Sequence, residues 1–172
     1  MAEEFRKMRR NEQLLSQAET LGVLNKATSG VLALYDESGY PYAVPLSCAY
    51  DDGYIYFHCA PTGHKLDAIR HCDKASFCVI AQDDVLPDKL TSAYLSVIAF
   101  GRVCVIDAPE EQKRIARIIG EKFSADYREI YEKAIEGSVK SDRMRCIAFK
   151  IEHVTGKAGR QELARRRCAQ AN

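Results

Sequence analysis

The sequence lacks an excess of charge of either sign. Its 25 Lys and Arg residues nearly balance its 24 Asp and Glu residues, which leaves a formal net charge of +1 over 172 residues. Nothing in this balance favours a nucleic-acid partner, which usually meets a basic surface. The sequence also lacks an apolar run near twenty residues, so we expect no membrane span. Its charged beginning, MAEEFRKMRRNEQ, has no apolar segment of the kind found in secretory signals.

The seven cysteines lack the number and spacing of a disulfide scaffold. They are an odd count, they form no C-x-x-C pair, and most lie in apolar runs where a free cysteine acts as a small hydrophobe. A reducing cytoplasm is the simplest interpretation. The sequence also lacks metal-ligand spacing, so we expect no metal site among the clustered His58, Cys59, His64, His71 and Cys72.

Length and composition fit one folded domain. Hydrophobic residues make up 47% of the chain, which is enough for a substantial core. We place this domain at residues 1–159 and a basic C-terminal tail at 160–172. The arginines of the tail are typical of a solvated terminus, and contact with a partner subunit or an acidic ligand is the alternative.

Alternating and apolar runs predict about six strands that are joined by hairpins and interrupted by short helices. Gly101, inside a long apolar run, indicates a bulge or a close approach of two backbones. The pattern predicts a mainly β fold, an antiparallel barrel that is closed or partly closed, with flanking helices. The strands are expected at 30–36, 41–50, 54–59, 75–82, 94–106 and 145–153, the helices at 11–21, 63–71 and 109–136, and a polar loop at 83–89.

Residues 41–70, PYAVPLSCAYDDGYIYFHCAPTGHKLDAIR, predict a strand, a tight turn, a second strand, a short loop and a helix. In the first strand the side chains of Ala43, Pro45, Ser47 and Ala49 share a face that is unusually small. Such a face either receives another packed element or leaves room for a flat ligand. Asp51-Asp52-Gly53 is a hairpin turn signal.

The start of the predicted helix is a candidate phosphate site. Thr62 is a suitable N-cap, and Lys65 falls in the first turn beside His64, where a cation is unfavourable unless an anion accompanies it. Free N–H groups and a nearby cation together favour a bound phosphate. A solvated helix end with a surface lysine is the alternative.

The same residues resemble the signature of the FMN-binding split-barrel proteins related to pyridoxamine 5′-phosphate oxidase, and within them the nitroimidazole-resistance (Nim-type) branch. Three further segments agree, at residues 8–10 (MRR), 94–103 (YLSVIAFGRV) and 151–159 (IEHVTGKAG), so the resemblance spans residues 8–159. The resemblance departs at Ser47-Cys48, where many relatives have an amide and an aromatic residue. This difference bears on the identity of the substrate more than on that of the cofactor. The tail from Arg160 lies outside the shared pattern.

The resemblance implies a split barrel that binds FMN between the subunits of an obligate homodimer. The backbone of Val44, Pro45, Leu46 and Ser47 is expected at the isoalloxazine edge, and Ser96 is expected to reach over from the second subunit. One helix-end phosphate position, without a second glycine-rich loop, favours FMN over FAD. The other implied contacts are His58, Cys59 and Ala60 beside the ribityl chain, Thr62, His64 and Lys65 at the phosphate, and Lys157 at the end of the last strand.

His58 is the candidate catalytic residue, because an imidazole exchanges a proton near neutral pH. A strand histidine with a purely structural hydrogen bond is the alternative. The implied activity is an FMN-dependent reduction of a small electron-poor substrate, as in nitroimidazole reduction. Two alternatives stay open: a non-catalytic dimeric module that binds FMN or haem, and a structural homodimer with an empty cleft. The apolar strand around Tyr94 to Phe100 is the candidate interface.

Overall fold

A computed structural model of the protein, which describes residues 5–170, has one seven-stranded antiparallel sheet flanked by helices. The mainly β fold predicted from the sequence is confirmed. In chain order the strands are β1 Ser29–Tyr35, β2 Pro41–Ser47, β3 Ala49–Asp51, β4 Tyr54–Cys59, β5 Lys74–Leu86, β6 Thr91–Ile106 and β7 Arg145–Ala158. The helices are α1 Gln17–Lys26, α2 His64–His71, α3 Pro109–Ser124, α4 Arg128–Lys140 and α5 Arg160–Gln170.

The two edges of the sheet belong to one continuous segment of chain. The strand order is β2-β1-β5-β6-β7-β4-β3, so the sheet begins and ends with strands that are separated only by Cys48. Cys48 is 2% exposed, and its N–H donates to the carbonyl oxygen of Thr28. The strand predicted at 41–50 is therefore two strands, which diverge at Cys48 and leave the barrel split there.

Two long strands extend beyond their predicted ends. The polar segment at 83–89 was predicted to be a loop, but β5 continues through it to Leu86 and pairs with the start of β6. Strand β7 likewise runs to Ala158. Cross-strand pairing supplies these backbone hydrogen bonds whatever the polarity of the side chains, so the composition was misleading here.

The first helix lies later in the chain than predicted. Residues 11–13 form a short 3₁₀ turn, and α1 begins after Ser16, whose hydroxyl accepts from the Glu19 N–H while the Glu19 carboxylate accepts from the Ser16 N–H. This reciprocal capping box fixes the start of α1. The helix was predicted to end at residue 21, but α1 continues through Gly22 to Lys26.

The core has two parts, one on each side of the sheet. The interior of the curved sheet is filled by large apolar side chains, including those of Leu32, Phe57, Phe77 and Phe149. A second cluster joins the outside of β3, β4 and β7 to α3 and α4, and it includes Tyr56, Ile115, Ile119, Ile135 and Cys146. The helical hairpin α3–α4 is thereby fixed beside the split.

Gly101 lies at the bulge that the sequence predicted. The register of β6 against β7 shifts between Phe100 and Gly101. A Cβ atom on Gly101 would lie 1.9 Å from the carbonyl oxygen of Lys150, so the two backbones pass too closely for any side chain. Both parts of the prediction, the bulge and the close approach, are confirmed.

The outside of β1, β2, β5 and β6, with the end of β7, forms one surface, which we call the outer face. It includes the exposed apolar residues Val31, Ile80, Ile98 and Phe100. Phe5 lies against this face, with its ring stacked on His153 at a centroid distance of 4.7 Å. Among residues 5–170 no helix is long and apolar enough to cross a membrane.

The C-terminal tail forms helix α5, which packs on the rest of the domain. Leu163 contacts the inner core, and the N–H of Gly159 donates to the carbonyl oxygen of Tyr94. Three arginines pair with acidic residues of the same chain: Arg160 with Glu12, Arg165 with Asp84, and Arg166 with Glu19 and Glu162. The basic tail is thus largely neutralised within its own subunit.

Candidate functional site

A groove opens where the barrel is split, and we call it the split groove. Ser47 at the end of β2 and residues 58–60 at the end of β4 form one wall, and the α3–α4 hairpin forms the other. The groove has a volume of about 690 Å³, which is within the size range of small-molecule and cofactor sites. Its helical wall is mainly apolar and includes Ile119, Phe123, Tyr131, Ile135 and Met144, with Arg143 at one end.

A glycine sets the shape of the helical wall. A Cβ atom on Gly120 of α3 would lie 2.8 Å from the ring of Tyr131, so the absence of a side chain lets this ring pack directly on α3. The Tyr131 hydroxyl then donates to Glu121 at 2.7 Å. Sequence reasoning predicted helices in this region but not their contribution to the site, because a helical pattern does not reveal which part of the sheet its apolar face will cover.

His58 reaches the split groove at the open end of β4. It shares a face with Tyr54 and Tyr56, and these two rings stack with centroids 5.8 Å apart under α3. Tyr56 is buried and accepts a hydrogen bond from Arg114, whereas His58 is exposed. Among residues 5–170 the imidazole of His58 forms no hydrogen bond or ion pair, and His58 lines the groove.

Cys59 and Ala60 contribute differently to the site. The side chain of Cys59 points to the other side of β4 and packs against the inner core. Burial raises the pKa of the Cys59 thiol, and the nearby charges of Lys65 and Arg145 oppose this shift. The thiol is therefore a packing group, while the backbone of residues 59 and 60 and the exposed Ala60 border the groove.

The start of α2 differs from the predicted phosphate site in its capping residue. The N-cap is Gly63, with φ of +133°, and Thr62 is exposed and provides no side-chain cap. The Thr62 capping prediction is wrong, because the sharp turn into the helix needs a backbone conformation that only glycine adopts readily. The first turn of α2 nevertheless begins with His64 and Lys65, as expected.

His64 is occupied by contacts within the chain. Its Nε2 pairs with the carboxylate of Asp36, and its ring stacks on Tyr42 with centroids 4.0 Å apart. Hydrogen bonds from Ser38, and then from His64, hold the pKa of Asp36 far below its usual range. These contacts attach α2 to the β1–β2 hairpin, so His64 positions the helix while its side chain is turned to Asp36.

Lys65 is the cation that remains available at this end of α2. Lys65 is half-buried. Its charge lowers the pKa of the Cys59 thiol at the end of β4, against the larger effect of burial. Among residues 5–170 Lys65 has no ion pair or hydrogen-bond partner. A partly buried ammonium without a carboxylate, next to a helix N-terminus, is a favourable place for an anion.

Strand β2 presents its small face outward. Val44 and Leu46 point inward and pack against the core, whereas Pro45 and Ser47 are exposed. Ala43, Pro45 and Ser47 are exposed, whereas Ala49, in β3, is 1% exposed and packs in the cluster with α3 and α4. Both interpretations left by the sequence therefore apply, each to one end of this face. As an edge strand, β2 also leaves backbone N–H and C=O groups without a sheet partner on one side.

Ser96 and Lys157 lie on the outer face, away from the split groove. They oppose each other on β6 and β7, and the Lys157 ammonium lies 5.5 Å from the centre of the Tyr94 ring. The β7 residue opposite His58 is Cys146, eleven positions before Lys157, which is a separation of roughly 35 Å along a strand. One chain therefore does not bring these two residues to His58 and Lys65.

All seven cysteines are free thiols. Residues 5–170 contain no group of three or more His, Cys, Asp or Glu side chains placed to hold a metal ion. The split groove therefore offers a histidine and an arginine beside an apolar wall, with the edge strand β2 ending at Ser47 and the charge of Lys65 near Cys59.

A family profile described as pyridoxamine 5′-phosphate oxidase matches residues 16–158, most of the chain. This range includes both walls of the split groove, α2 and the outer face. No curated protein matches the chain.

Several solved structures have the same fold. One is a candidate 5-nitroimidazole antibiotic resistance protein from Bacteroides thetaiotaomicron, 18% identical, with 84% of this chain and 86% of that chain covered and a TM-score of 0.70. An FAD-binding protein from Mesorhizobium loti is 25% identical, with coverages of 86% and 97% and a TM-score of 0.57. A protein from Mycobacterium smegmatis that binds FAD and haem is 18% identical, with coverages of 84% and 72% and a TM-score of 0.67.

Proposed function

Because the chain belongs to the pyridoxamine 5′-phosphate oxidase family, we propose that it is a flavoprotein that binds FMN at the split groove and reduces a small electron-poor molecule. The observation that carries this proposal is Lys65, a half-buried cation at a helix N-terminus, which has no partner among residues 5–170. A phosphate monoester supplies the charge and the acceptor oxygens that this position lacks.

The rest of the cofactor fits the surfaces around Lys65. The exposed small side chains of Pro45 and Ser47 leave space for a flat ring, and the free edge of β2 offers hydrogen bonds to its polar rim. The backbone of residues 58–60 lies between this edge and α2, where a ribityl chain would pass. We propose FMN rather than FAD because residues 41–70 offer one phosphate position.

His58 is the proposed catalytic residue. The flavin, when bound, supplies the electron pair or hydride for the reduction. His58 holds a proton at a ring nitrogen that faces the groove, and it donates this proton to the reduced substrate as general acid. The apolar side chains of Ile119 and Phe123 exclude water from the side where the substrate enters.

The proposed active unit is a homodimer. Ser96 and Lys157 are too far from the split groove of their own chain to touch its ligand, so their proposed role requires a second subunit. The exposed apolar side chains of Ile98 and Phe100 on the outer face are the proposed contact between the subunits. The seven free thiols support a reducing compartment, for which we propose the cytoplasm.

A second candidate is a cofactor-binding module without turnover. The solved neighbour that binds both FAD and haem makes haem a specific alternative, and the accessible imidazole of His58 is a suitable axial ligand. The visible absorption spectrum of the purified protein separates the two cofactors. Bleaching of the flavin bands by NADH or NADPH without oxygen separates an enzyme from a storage module.

Extraction of the bound cofactor followed by chromatography tests the choice of flavin. We expect one FMN per chain. Stoichiometric FAD would contradict the single phosphate position. Bound haem would support the cofactor-binding module instead of the FMN-dependent reductase. Absence of any cofactor after reconstitution with FMN would reject the flavoprotein proposal.

Replacing Lys65 by alanine is expected to weaken FMN binding by about 10- to 100-fold. The variant loses charge-assisted hydrogen bonds to the phosphate, each of which contributes about 1.5–3 kcal/mol. Fluorescence quenching of FMN on titration into the apoprotein measures the change. The matched control is Arg70→Ala at the other end of α2, where the arginine forms an exposed ion pair with Asp67.

The control should retain the wild-type affinity, since the ion pair of Arg70 lies on the surface and contributes little. Riboflavin, which lacks the phosphate, provides a second comparison. It should bind the wild-type protein and Lys65→Ala equally. If Lys65→Ala weakens riboflavin as much as FMN, Lys65 supports the fold of the site and does not contact the phosphate.

Replacing Phe100 by glutamate is expected to convert the proposed dimer into a monomer. The two introduced glutamates, one in each subunit, would repel each other. The contact would also lose the apolar area that the two Phe100 rings bury. Sedimentation velocity measures the mass with cofactor bound. Ile130→Glu on α4, at an exposed apolar residue away from the outer face, is the control. A wild-type monomer with FMN bound would overturn the dimer proposal.

A further inference from the structure

The register of β5 and β6, continued past its last pair, directs Cys72 toward Cys104. The first pair in this ladder is Lys74 opposite Arg102, and the Val103 N–H donates to the Asp73 carbonyl oxygen at 2.8 Å. The pairing thus continues beyond Lys74 toward the end of α2. Strand β5 itself begins at Lys74, and continuing its register by two positions would set Cys72 opposite Cys104. The backbone of Cys72 is extended, with φ of −145° and ψ of 125°.

The position of this pair in the ladder suits a disulfide. Hydrogen-bonded and non-hydrogen-bonded pairs alternate along antiparallel strands. Because the Val103 N–H donates to the Asp73 carbonyl oxygen, the continued register would make Cys72 and Cys104 a non-hydrogen-bonded pair, for which Cα atoms lie about 4.5 Å apart. Disulfides span Cα separations of about 4.4–6.8 Å.

The surroundings hold the two strands in this register and leave the thiols accessible. Arg102 donates to both carboxylate oxygens of Asp73, at 2.9 and 2.8 Å, which fixes the start of β5 against β6. The Cys72 N–H donates to the Ala68 carbonyl oxygen and so anchors the end of α2. Cys104 is exposed and Cys72 is half-buried.

Among the described residues, 5–170, no other pair of thiols has this arrangement. Cys59 and Cys146 are near neighbours on β4 and β7, but their side chains pack into clusters on opposite sides of the sheet. Cys48 is buried at the split, Cys78 lies on the outer face, and Cys168 is on α5. The odd number of cysteines, which argued against a disulfide scaffold, is compatible with a single reversible bond.

We propose that Cys72 and Cys104 form an oxidisable dithiol, which a peroxide converts to an intrachain disulfide that ties the end of α2 to β6. The two thiols together lose two protons and two electrons and form one S–S bond. Hydrogen peroxide accepts these and is reduced to two molecules of water. The proposal does not depend on the cofactor or on the proposed activity.

The test is oxidation of the purified full chain by hydrogen peroxide, followed by blocking of free thiols and digestion with trypsin without reductant. Cleavage after Arg70, Lys74, Arg102 and Lys113 releases the peptides HCDK and VCVIDAPEEQK. We expect them to be recovered as one linked species, with the loss of two of the seven thiols. Closing a loop of about thirty residues should also raise the unfolding midpoint by roughly 5–10 °C.

Serine variants identify the pair. Cys72→Ser and Cys104→Ser should each abolish both the linked peptide and the rise in midpoint, whereas Cys168→Ser should retain them. A non-reducing gel separates an intrachain bond from a bond between two subunits. The proposal is overturned if the bond joins two chains, or if Cys72 and Cys104 are oxidised separately without linkage.

Discussion

Replacing Gly101 by alanine is expected to lower the free energy of unfolding by at least about 3 kcal/mol, because the new Cβ atom collides with backbone and not with a movable side chain. The collision is with the Lys150 carbonyl oxygen at 1.9 Å, and the Glu152 N–H nitrogen is only 3.2 Å away. The β6–β7 pairing, which is the longest in the sheet together with β5–β6, would have to shift. Urea or thermal unfolding measures the loss.

The matched control is the same substitution at Gly22. This residue is exposed inside α1, and a Cβ atom there would meet nothing within 4 Å. Gly22→Ala should therefore stabilise the protein by about 1 kcal/mol, the usual difference in helix propensity. If Gly101→Ala unfolds at the wild-type midpoint, the close approach of the two backbones is not a constraint on the fold.

Replacing His58 by alanine is expected to lower the reductase rate of the flavin-loaded protein by about 100-fold, at the lower end of what a general acid contributes. FMN should stay bound, since Lys65 and the edge of β2 are unchanged. Single-turnover reoxidation of the reduced flavin by a nitroaromatic substrate isolates the step in which His58 is proposed to act. His71→Ala, at an exposed histidine at the end of α2, is the control.

A structural role for His58 makes a different prediction. In that case His58→Ala would lower the unfolding midpoint of the apoprotein and leave the rate of the flavin-loaded form intact. His58 is exposed and has no partner among residues 5–170, so its removal is expected to change stability by no more than about 0.5 kcal/mol. Midpoint and rate together therefore distinguish the two roles.

The local features of the fold could be predicted from the sequence. Alternation located β2 and β4, Asp51-Asp52-Gly53 gave the turn between β3 and β4, and Gly101 marked the bulge. Each of these follows from the conformational preferences of a few neighbouring residues. The start of α1 was also available in the sequence, as the Ser16-x-x-Glu19 capping box, although the helix was predicted at 11–21.

The features that were missed depend on contacts distant in sequence. The break at Cys48 arises because the two halves of one segment pair with different strands, β1 and β4. The pairing of His64 with Asp36 joins residues 28 positions apart, so no local pattern could reveal it. The helical wall of the split groove has the same origin, since only the folded chain shows which strands α3 and α4 cover.

The sharing of both sheet edges by one segment also bears on how the chain folds. Strands β1 and β2, β3 and β4, and β5 and β6 are hairpins whose partners are close in sequence, and such contacts form early because they close short loops. Strand β4, in contrast, must find β7 about 90 residues further along the chain. Until β4 pairs with β7, β2 and β3 cannot both join the sheet, because these two parts of one segment lie at opposite edges of it. Closure at Cys48 is therefore expected among the last events of folding, with a rate set by the search for β7.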